Sequence, residues 1–325
     1  MSDAVVTLEN VVKRYGNFTA VDGLSFSVAS GEIFGFLGPN GAGKTTTLRM
    51  MLDIIAPNQG RISILGSASA IPVRHRIGYL PEERGLYRKM KAADTIAYFA
   101  QLRGLSRKAA REKAHALLER FGLGEFARSK NEALSKGMAQ KLQLLTAIAH
   151  DPELLILDEP FSGLDPINQH VFEELIRELR SEGRTIIFST HVMQHAERLC
   201  DRFLILTKGK RRFEGDLAAA RATFPPRLIL QTADSIAPLS NAPGVVAIVE
   251  RPGREDGEAR AYEVELARGA DPQPVLKAAF EAGVRLARFE HAGATLHDIF
   301  VALAGEDAES DAYEEKRGGD REEAA

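Results

Sequence analysis

The feature that most constrains this chain is a glycine-rich segment between an apolar run and a helical pattern. Residues 33–37 predict a buried strand, and residues 45–52 predict a helix. Glycines let the backbone wrap closely around phosphate oxygens, and successive N–H groups then form a nest for an anion beside the positive end of the helix. The segment is therefore predicted to bind the phosphates of a nucleoside triphosphate, and it reads Gly38-Pro39-Asn40-Gly41-Ala42-Gly43-Lys44-Thr45-Thr46.

Two side chains of this loop carry specific chemistry. In the pattern Gly-x4-Gly-Lys-Thr, the ammonium of Lys44 is expected to contact the β- and γ-phosphates, and the hydroxyl of Thr45 to ligate Mg²⁺. The remaining loop positions predicted to contact the nucleotide are Gly38, Asn40, Gly41, Gly43 and Thr46.

Composition narrows the class of protein. A length of 325 residues favours about two domains, and an apolar fraction of 44% allows a large core. The net charge of −3 gives no reason to expect nucleic-acid binding. The single cysteine, Cys200, excludes an intramolecular disulfide framework and fits a reducing compartment. With no visible signal peptide and no apolar run long enough to span a bilayer, we expect a soluble, cytoplasmic protein.

The strand pattern predicts an α/β fold. Runs at 154–157, 185–189 and 203–206 are apolar throughout, which indicates a parallel sheet buried on both faces. Two β-rich segments, 5–12 and 20–28, come before the loop and predict an antiparallel subdomain. From about 90 to 140, apolar residues recur at helical spacing, which predicts a helical insert. The expected fold is a P-loop NTPase domain over residues 1–223.

A second, smaller domain is predicted after Phe224-Pro225-Pro226-Arg227, because two prolines stop the preceding element. Strand patterns at 228–230, 245–249 and 262–266, with helix starts at Asp271-Pro272 and Thr295, predict an α+β domain over residues 227–304. Residues 306–325 hold nine acidic and three basic side chains. We expect residues 305–325 to be a disordered acidic tail.

An apolar strand ends in two carboxylates at Asp158 and Glu159. In a chain that also carries a phosphate-binding loop, Asp158 is placed to ligate Mg²⁺ and Glu159 to orient or deprotonate the attacking water.

The order of motifs resembles that of the ABC ATPases across residues 4–222. Leu134-Ser135-Lys136-Gly137-Met138-Ala139-Gln140-Lys141 is similar to the signature motif of that family, usually Leu-Ser-Gly-Gly-Gln, and Ser162-Gly163-Leu164-Asp165 looks like its D-loop. His191 looks like its switch histidine, which contacts the γ-phosphate. Tyr15 stands where the family stacks an aromatic ring on adenine, although a strand-end tyrosine can also be purely structural.

The resemblance implies a partner for each site. It implies ATP as the nucleotide and a head-to-tail dimer in which Ser135, Gly137 and Asp165 complete the site of a second copy. It also implies a separate integral membrane permease, with the chain peripheral on the inner face of the membrane. The segment Pro81-Glu82-Glu83-Arg84-Gly85-Leu86-Tyr87 resembles the branch of sodium and drug exporters, and the C-terminal run Leu296–Phe300 is similar to that branch too.

Two positions depart from the family pattern. Lys136 and Met138 replace the usual Gly and Gln, and Lys136 can add positive charge near the phosphates or point to solvent. Glu82 stands where the family has Gln. Our hypothesis is that Glu82 keeps the role of that Gln and contacts Mg²⁺ or the attacking water. The alternative is that Glu82 is an ordinary acidic residue of a solvated loop.

Two other classes of protein remain in view. A soluble ABC protein acting on ribosomes or DNA usually carries two cassettes or a long coiled coil, and this sequence has one phosphate loop and no sustained heptads. A regulator that binds ATP with little hydrolysis has no need of a water-activating carboxylate such as Glu159.

Overall fold

The computed structural model describes residues 4–83, 85–251 and 260–303. The chain divides into two compact units, Met1–Asp216 and Leu217–Ala325, and each is described separately below. Among the described residues, no helix combines the length and the apolar character needed to cross a membrane.

A small antiparallel sheet opens the first unit. Its strands are β1 (Ala4–Tyr15), β2 (Phe18–Ala29) and, after the phosphate loop, β4 (Gln59–Ile64), in the order β2-β1-β4. Apolar side chains on one face, such as those of Val6 and Phe26, are buried. The turn between β1 and β2 leaves Tyr15 directly opposite Phe18.

The central sheet of the first unit has the order β5-β6-β7-β3-β8-β9. Its parallel strands β3 (Ile33–Leu37), β5 (Ile77–Leu80), β6 (Leu154–Asp158), β7 (Thr185–Thr190) and β8 (Arg202–Thr207) are almost entirely buried, as a sheet covered on both faces requires. The edge strand β9 (Lys210–Gly215) pairs with β8 in the antiparallel sense. Because β3, β7 and β6 are neighbours and parallel, the loops that follow them lie at one edge of the sheet.

Helices cover the sheet and form the predicted insert. Helix α1 (Lys44–Met51) follows the phosphate loop, and α5 (Pro166–Ser181) and α6 (Met193–Leu199) follow β6 and β7. The insert consists of α2 (Ala92–Leu102), α3 (Arg107–Arg120) and α4 (Lys136–Ile148), which share one apolar core with the sheet. Helix α4 continues eight residues past the predicted end of the insert at residue 140, because its second half is buried against that core.

The second unit is an α+β domain. It contains α7 (Leu217–Ala222), β10 (Arg227–Thr232), β11 (Val245–Arg251), β12 (Arg260–Leu266), α8 (Gln273–Glu281) and β13 (Arg288–Ala292), followed by a helix at 296–303. All its strand pairs are antiparallel, in the order β11-β12-β10-β13. The capping box predicted at Thr295 is present, since the Thr295 N–H donates to Asp298 Oδ2 at 3.0 Å and the Asp298 N–H to Thr295 Oγ1 at 3.1 Å.

The boundaries of the units differ from the sequence expectation in one respect. The division at 216/217 places α7 with the second unit, whereas the sequence placed the boundary between 223 and 227. The predicted acidic tail, 305–325, lies outside the described residues. Strands β9 and β13 were not predicted, because both are polar edge strands without an alternating apolar pattern.

Candidate functional site

The phosphate loop is held by close backbone contacts that only glycine permits. A Cβ atom on Gly38 would lie 2.2 Å from the carbonyl oxygen of Leu206, and one on Gly43 would lie 2.4 Å from that of Ala20. Gly41 has open space around it but adopts φ +80°, a conformation that favours glycine. The loop is therefore packed closely against its neighbouring strands, which leaves no room for a larger residue at Gly38 or Gly43.

Lys44 places its ammonium inside the loop. The residue is buried, and its Nζ donates to the carbonyl oxygens of Gly38 at 2.7 Å and Pro39 at 3.2 Å. A cavity of about 320 Å³ opens in front of the loop. Its lining includes all the predicted positions from Asn40 to Thr46, together with Tyr15, Phe18, Glu82 and Glu159. Gly38 lies behind this lining, where it shapes the loop and accepts from Lys44.

Asp158 does not line this cavity but is hydrogen-bonded to Thr45, which does. Asp158 is buried, and its Oδ1 accepts from Thr45 Oγ1 at 3.2 Å and from Ser189 Oγ at 2.6 Å. Burial raises the pKa of Asp158 above its ordinary value, while the hydrogen bonds from Ser189 and Thr45 lower it. A carboxylate beside a hydroxyl is a hard oxygen set that fits Mg²⁺, so these two residues are suited to hold the ion of a Mg²⁺–nucleotide.

The two carboxylate oxygens of Glu159 have different partners. Its Oε2 accepts from His191 Nδ1 at 3.0 Å, and its backbone N–H donates to Ser189 Oγ at 2.9 Å. Its Oε1 is buried, lies 3.4 Å from Lys44 Nζ, and has no hydrogen-bond partner within the described chain. The backbone at Glu159 has φ +47°, which is strained for a residue other than glycine. This arrangement leaves an acceptor oxygen directed at the phosphate loop.

Two aromatic rings flank the entrance. Tyr15 is 50% exposed and Phe18 62% exposed, and Lys13 Nζ lies 5.1 Å from the centre of the Tyr15 ring. Sequence reasoning selected Tyr15 and missed Phe18, which faces it across the β1–β2 turn. An aromatic residue on the far side of a Gly-Asn turn was the available signal.

Glu82 lines the same cavity on an exposed loop after β5. The side-chain amide of Gln143 on α4 donates to the carbonyl oxygens of Pro81 at 3.4 Å and Glu83 at 3.2 Å. These two bonds hold the loop on either side of Glu82, so that its carboxylate reaches the cavity that also contains Glu159.

The remaining predicted residues form a second group that does not line this cavity. Ser135 Oγ accepts from the Met138 N–H at 3.2 Å and so caps α4. A Cβ on Gly137 would lie 2.8 Å from Asn168 Nδ2, and that amide donates to Asp165 Oδ2 at 2.7 Å. Hydrogen bonds from Asn168 lower the pKa of Asp165. Asn168, which joins the start of α4 to the start of α5, was missed because nothing in its local sequence marks it.

Comparison with known proteins gives two family matches. Residues 21–162 match the family described as ABC transporter, and residues 215–304 match the family described as ATP-binding protein DrrA1-3-like, C-terminal domain.

Individual relatives agree with these matches. The chain is 38% identical over 302 residues to an uncharacterized ABC transporter ATP-binding protein, YhaQ of Bacillus subtilis, covering 93% of this chain and 99% of that one. It is 37% identical over 314 residues to the Nod factor export ATP-binding protein I of Burkholderia orbicola, covering 94% and 98%. A solved structure titled as the ATP binding subunit of an ABC transporter aligns with a TM-score of 0.62 at 32% identity, over 67% of this chain and 92% of that one. The α/β fold predicted from the strand pattern and the resemblance to ABC ATPases predicted from the motif order are both confirmed.

Asp158 carries its carboxylate in a buried position. We therefore predict that removing this charge stabilises the fold against unfolding, by an amount that depends on pH. Because the pKa of Asp158 is raised above 3.8, the folded state holds its proton more tightly than the unfolded chain, and stability is lost as the pH rises through the raised pKa. Asp158→Asn should therefore raise the melting temperature of the nucleotide-free protein at neutral pH by a few degrees, about 1 kcal/mol. The gain should shrink at low pH, and stabilisation by Mg²⁺–ATP should be lost.

A matched control for this prediction is Asp165→Asn, at an exposed aspartate whose pKa is lowered instead of raised. Thermal unfolding of both variants between acidic and neutral pH checks the sign. A melting temperature for Asp158→Asn that stays below wild type at neutral pH would contradict the prediction.

Glu82→Ala should slow ATP hydrolysis and weaken its Mg²⁺ dependence, because a carboxylate oxygen would be lost from the cavity. We expect a decrease of about tenfold in rate, the size of one lost contact to the reacting groups. Glu83→Ala is the control, since Glu83 is also exposed but does not line the cavity. A rate and a Mg²⁺ dependence equal to wild type in Glu82→Ala would show that Glu82 is a solvated loop acid.

Proposed function

We propose that this chain, which belongs to the family of ABC transporter ATP-binding proteins, hydrolyses ATP to power a separate membrane permease. The observation that supports hydrolysis most directly is the placement of Glu159, whose buried Oε1 pairs with Lys44 and accepts no hydrogen bond while its Oε2 is held by His191. A carboxylate fixed in this way can accept a proton from an attacking water.

In this proposal the phosphate loop and the residues around it bind the nucleotide. The loop N–H groups and Lys44 would hold the β- and γ-phosphates, and Tyr15 would stack on the adenine. Thr45, Asp158 and Glu82 would hold Mg²⁺, which neutralises charge on the phosphates. His191 is 48% exposed on its side chain, so its other ring nitrogen can reach the γ-phosphate while Nδ1 holds Glu159.

We assign the second group of residues to a partner copy. Ser135, Gly137 and Asp165 do not line the cavity of their own chain, yet the start of α4 presents N–H groups and a positive dipole end to solvent. In a head-to-tail dimer, this group would cover the γ-phosphate bound by the other copy. Contacts made only in the closed dimer would shift the population toward closure when ATP binds.

A groove beside the helical insert supplies a surface for the permease. It has a volume of about 500 Å³, and its lining includes the exposed apolar side chains of Ile54, Ile71 and Leu102. Arg103, which also lines it, donates to the Arg74 carbonyl at 2.8 Å and has no ion pair within the described ranges. Burial lowers the pKa of Arg103. We propose that an amphipathic helix of the permease docks here, with an acidic side chain facing Arg103.

The direction and location of the activity rest on the relatives. Several relatives are named for Nod factor export, and a structural neighbour is described as part of the ABC transporter complex cbiONQ. We propose export as the direction of transport, and a location on the inner face of the membrane through the permease.

Glu159→Gln should trap ATP and stabilise a dimer, because the water-activating carboxylate is lost while the nucleotide contacts remain. Light scattering with and without Mg²⁺–ATP should show a dimer only in the presence of ATP, with hydrolysis reduced at least a hundredfold, about 2.7 kcal/mol. Wild type that never hydrolyses ATP, even with its permease, would instead favour an ABC-type regulator that binds ATP with little turnover.

Ile71→Asp should weaken coupling to the permease, since it places a charge on the apolar wall of the groove. We expect permease-stimulated hydrolysis to fall about tenfold, while thermal stabilisation by ATP remains. Phe280→Asp on α8 is the control, as Phe280 is 87% exposed and belongs to the second unit. Equal loss of stimulation in both variants would contradict a role for the groove.

A further inference from the structure

A buried histidine and a buried carboxylate form a cluster outside the nucleotide cavity. His195 Nδ1 lies 3.1 Å from Glu173 Oε1, and the two residues are 5% and 2% exposed. The imidazole also stacks on Phe161, with ring centres 4.0 Å apart and an angle of 16° between the planes. None of the three residues lines the nucleotide cavity.

Glu173 collects donors from two helices. Arg177, on the same helix α5, lies 3.3 Å from Oε2, while His195 and Arg198 belong to α6, with Arg198 3.5 Å from Oε1. An ionised carboxylate only accepts hydrogen bonds, so Nδ1 of His195 carries the proton. Because a buried carboxylate is costly unless it is paired, this cluster fixes α6 against α5.

Phe161 anchors the segment that follows Glu159. It is buried, and its ring makes edge contacts with Phe172 of α5 at 5.9 Å and Phe188 of β7 at 5.8 Å, while its face lies against His195. The segment is therefore held from three sides, and two of these contacts come from the helices that Glu173 joins.

The stretch from Glu159 to Phe161 and the stretch from His191 to His195 contact each other at two points. Glu159 stands two residues before Phe161, and His191 stands two residues before the first residue of α6. They meet at the His191–Glu159 hydrogen bond of 3.0 Å, and again at the stack of His195 on Phe161. His191 is half exposed and His195 is buried, so the second contact is the rigid one.

We propose that His195 is a positioning residue for ATP hydrolysis. By stacking on Phe161 and donating to Glu173, it fixes the distance between the Glu159 segment and the helix that follows His191. The His191–Glu159 hydrogen bond, and with it the direction of the Glu159 carboxylate, then depends on the buried cluster. This inference rests on the proposed function, in which Glu159 activates water.

The test compares two replacements of the histidine. His195→Phe keeps a ring to stack on Phe161 and loses the N–H, whereas His195→Ala loses both. We expect kcat to fall roughly tenfold in the first and roughly a hundredfold in the second, because small displacements of a catalytic group cost that much. The dissociation constant of ATP should stay within about twofold of wild type, since the loop contacts are untouched. Glu173→Gln keeps an acceptor for His195 and should retain kcat within about threefold.

Two controls separate positioning from general stability. Leu175→Ala removes a buried apolar side chain from α5 outside the cluster, and should lower the melting temperature with kcat within about twofold of wild type. His170→Phe removes an exposed His–Glu pair of 3.3 Å from the same helix, and should change neither quantity.

The possible results separate a failure of the positioning role of His195 from a failure of ATP hydrolysis itself. Wild type without any ATP hydrolysis overturns the proposed function and this inference together. Hydrolysis by wild type with an undiminished kcat in His195→Phe, or an equal loss of kcat in Leu175→Ala, overturns the inference alone. If His195→Ala shows no cooperative unfolding, the milder His195→Phe decides the question.

Discussion

The parallel pairing of β3, β7 and β6 is the constraint on which the site depends. In this register Leu37 lies beside Thr190, and Asp158 lies beside Ser189, so three separate loops begin at the same edge of the sheet. Ser189 uses that proximity twice, because its hydroxyl donates to Asp158 and accepts from the backbone of Glu159. A one-residue slip of β7 would move its hydroxyl to the opposite face and separate the two carboxylates from their common support.

That arrangement places two carboxylates next to each other in a buried position, shielded from solvent. Asp158 and Glu159 are consecutive buried acids, and the proximity of Glu159 adds to the effect of burial in raising the pKa of Asp158. Lys44 opposes this from the loop, 3.4 Å from Glu159. Sites that bind ions commonly carry such unfavourable charge in the free protein, so part of the stability lost here is recovered only when a ligand binds.

The parts of the site that could be predicted from the sequence are short motifs of adjacent residues. A few consecutive residues are enough to recognise the chemistry of three of them: the phosphate loop, the Asp158–Glu159 pair and the helix cap at Ser135. Ser189, Asn168 and Phe18 act through contacts across the fold, and a hydroxyl, an amide or a ring has no distinctive local pattern. The fold follows the same division, since buried strands such as β6 have apolar runs, while the edge strands β9 and β13 depend on their neighbours for pairing.

Helix α5 connects the two groups of predicted residues. Its first turn carries Asp165 and Asn168, which contact the start of α4 through Gly137, and two turns later Glu173 binds the helix that follows His191. In the proposed dimer, a partner's phosphate would act on the first turn, and Phe161 lies between that turn and Glu159. Close packing transmits such a contact as a small displacement, and the pairs of Glu173 with His195 and Arg198 tie α5 to α6. Because Glu173 is buried, losing one of its cationic partners would leave an uncompensated charge between α5 and α6, so the cluster favours the arrangement in which the two helices stay together.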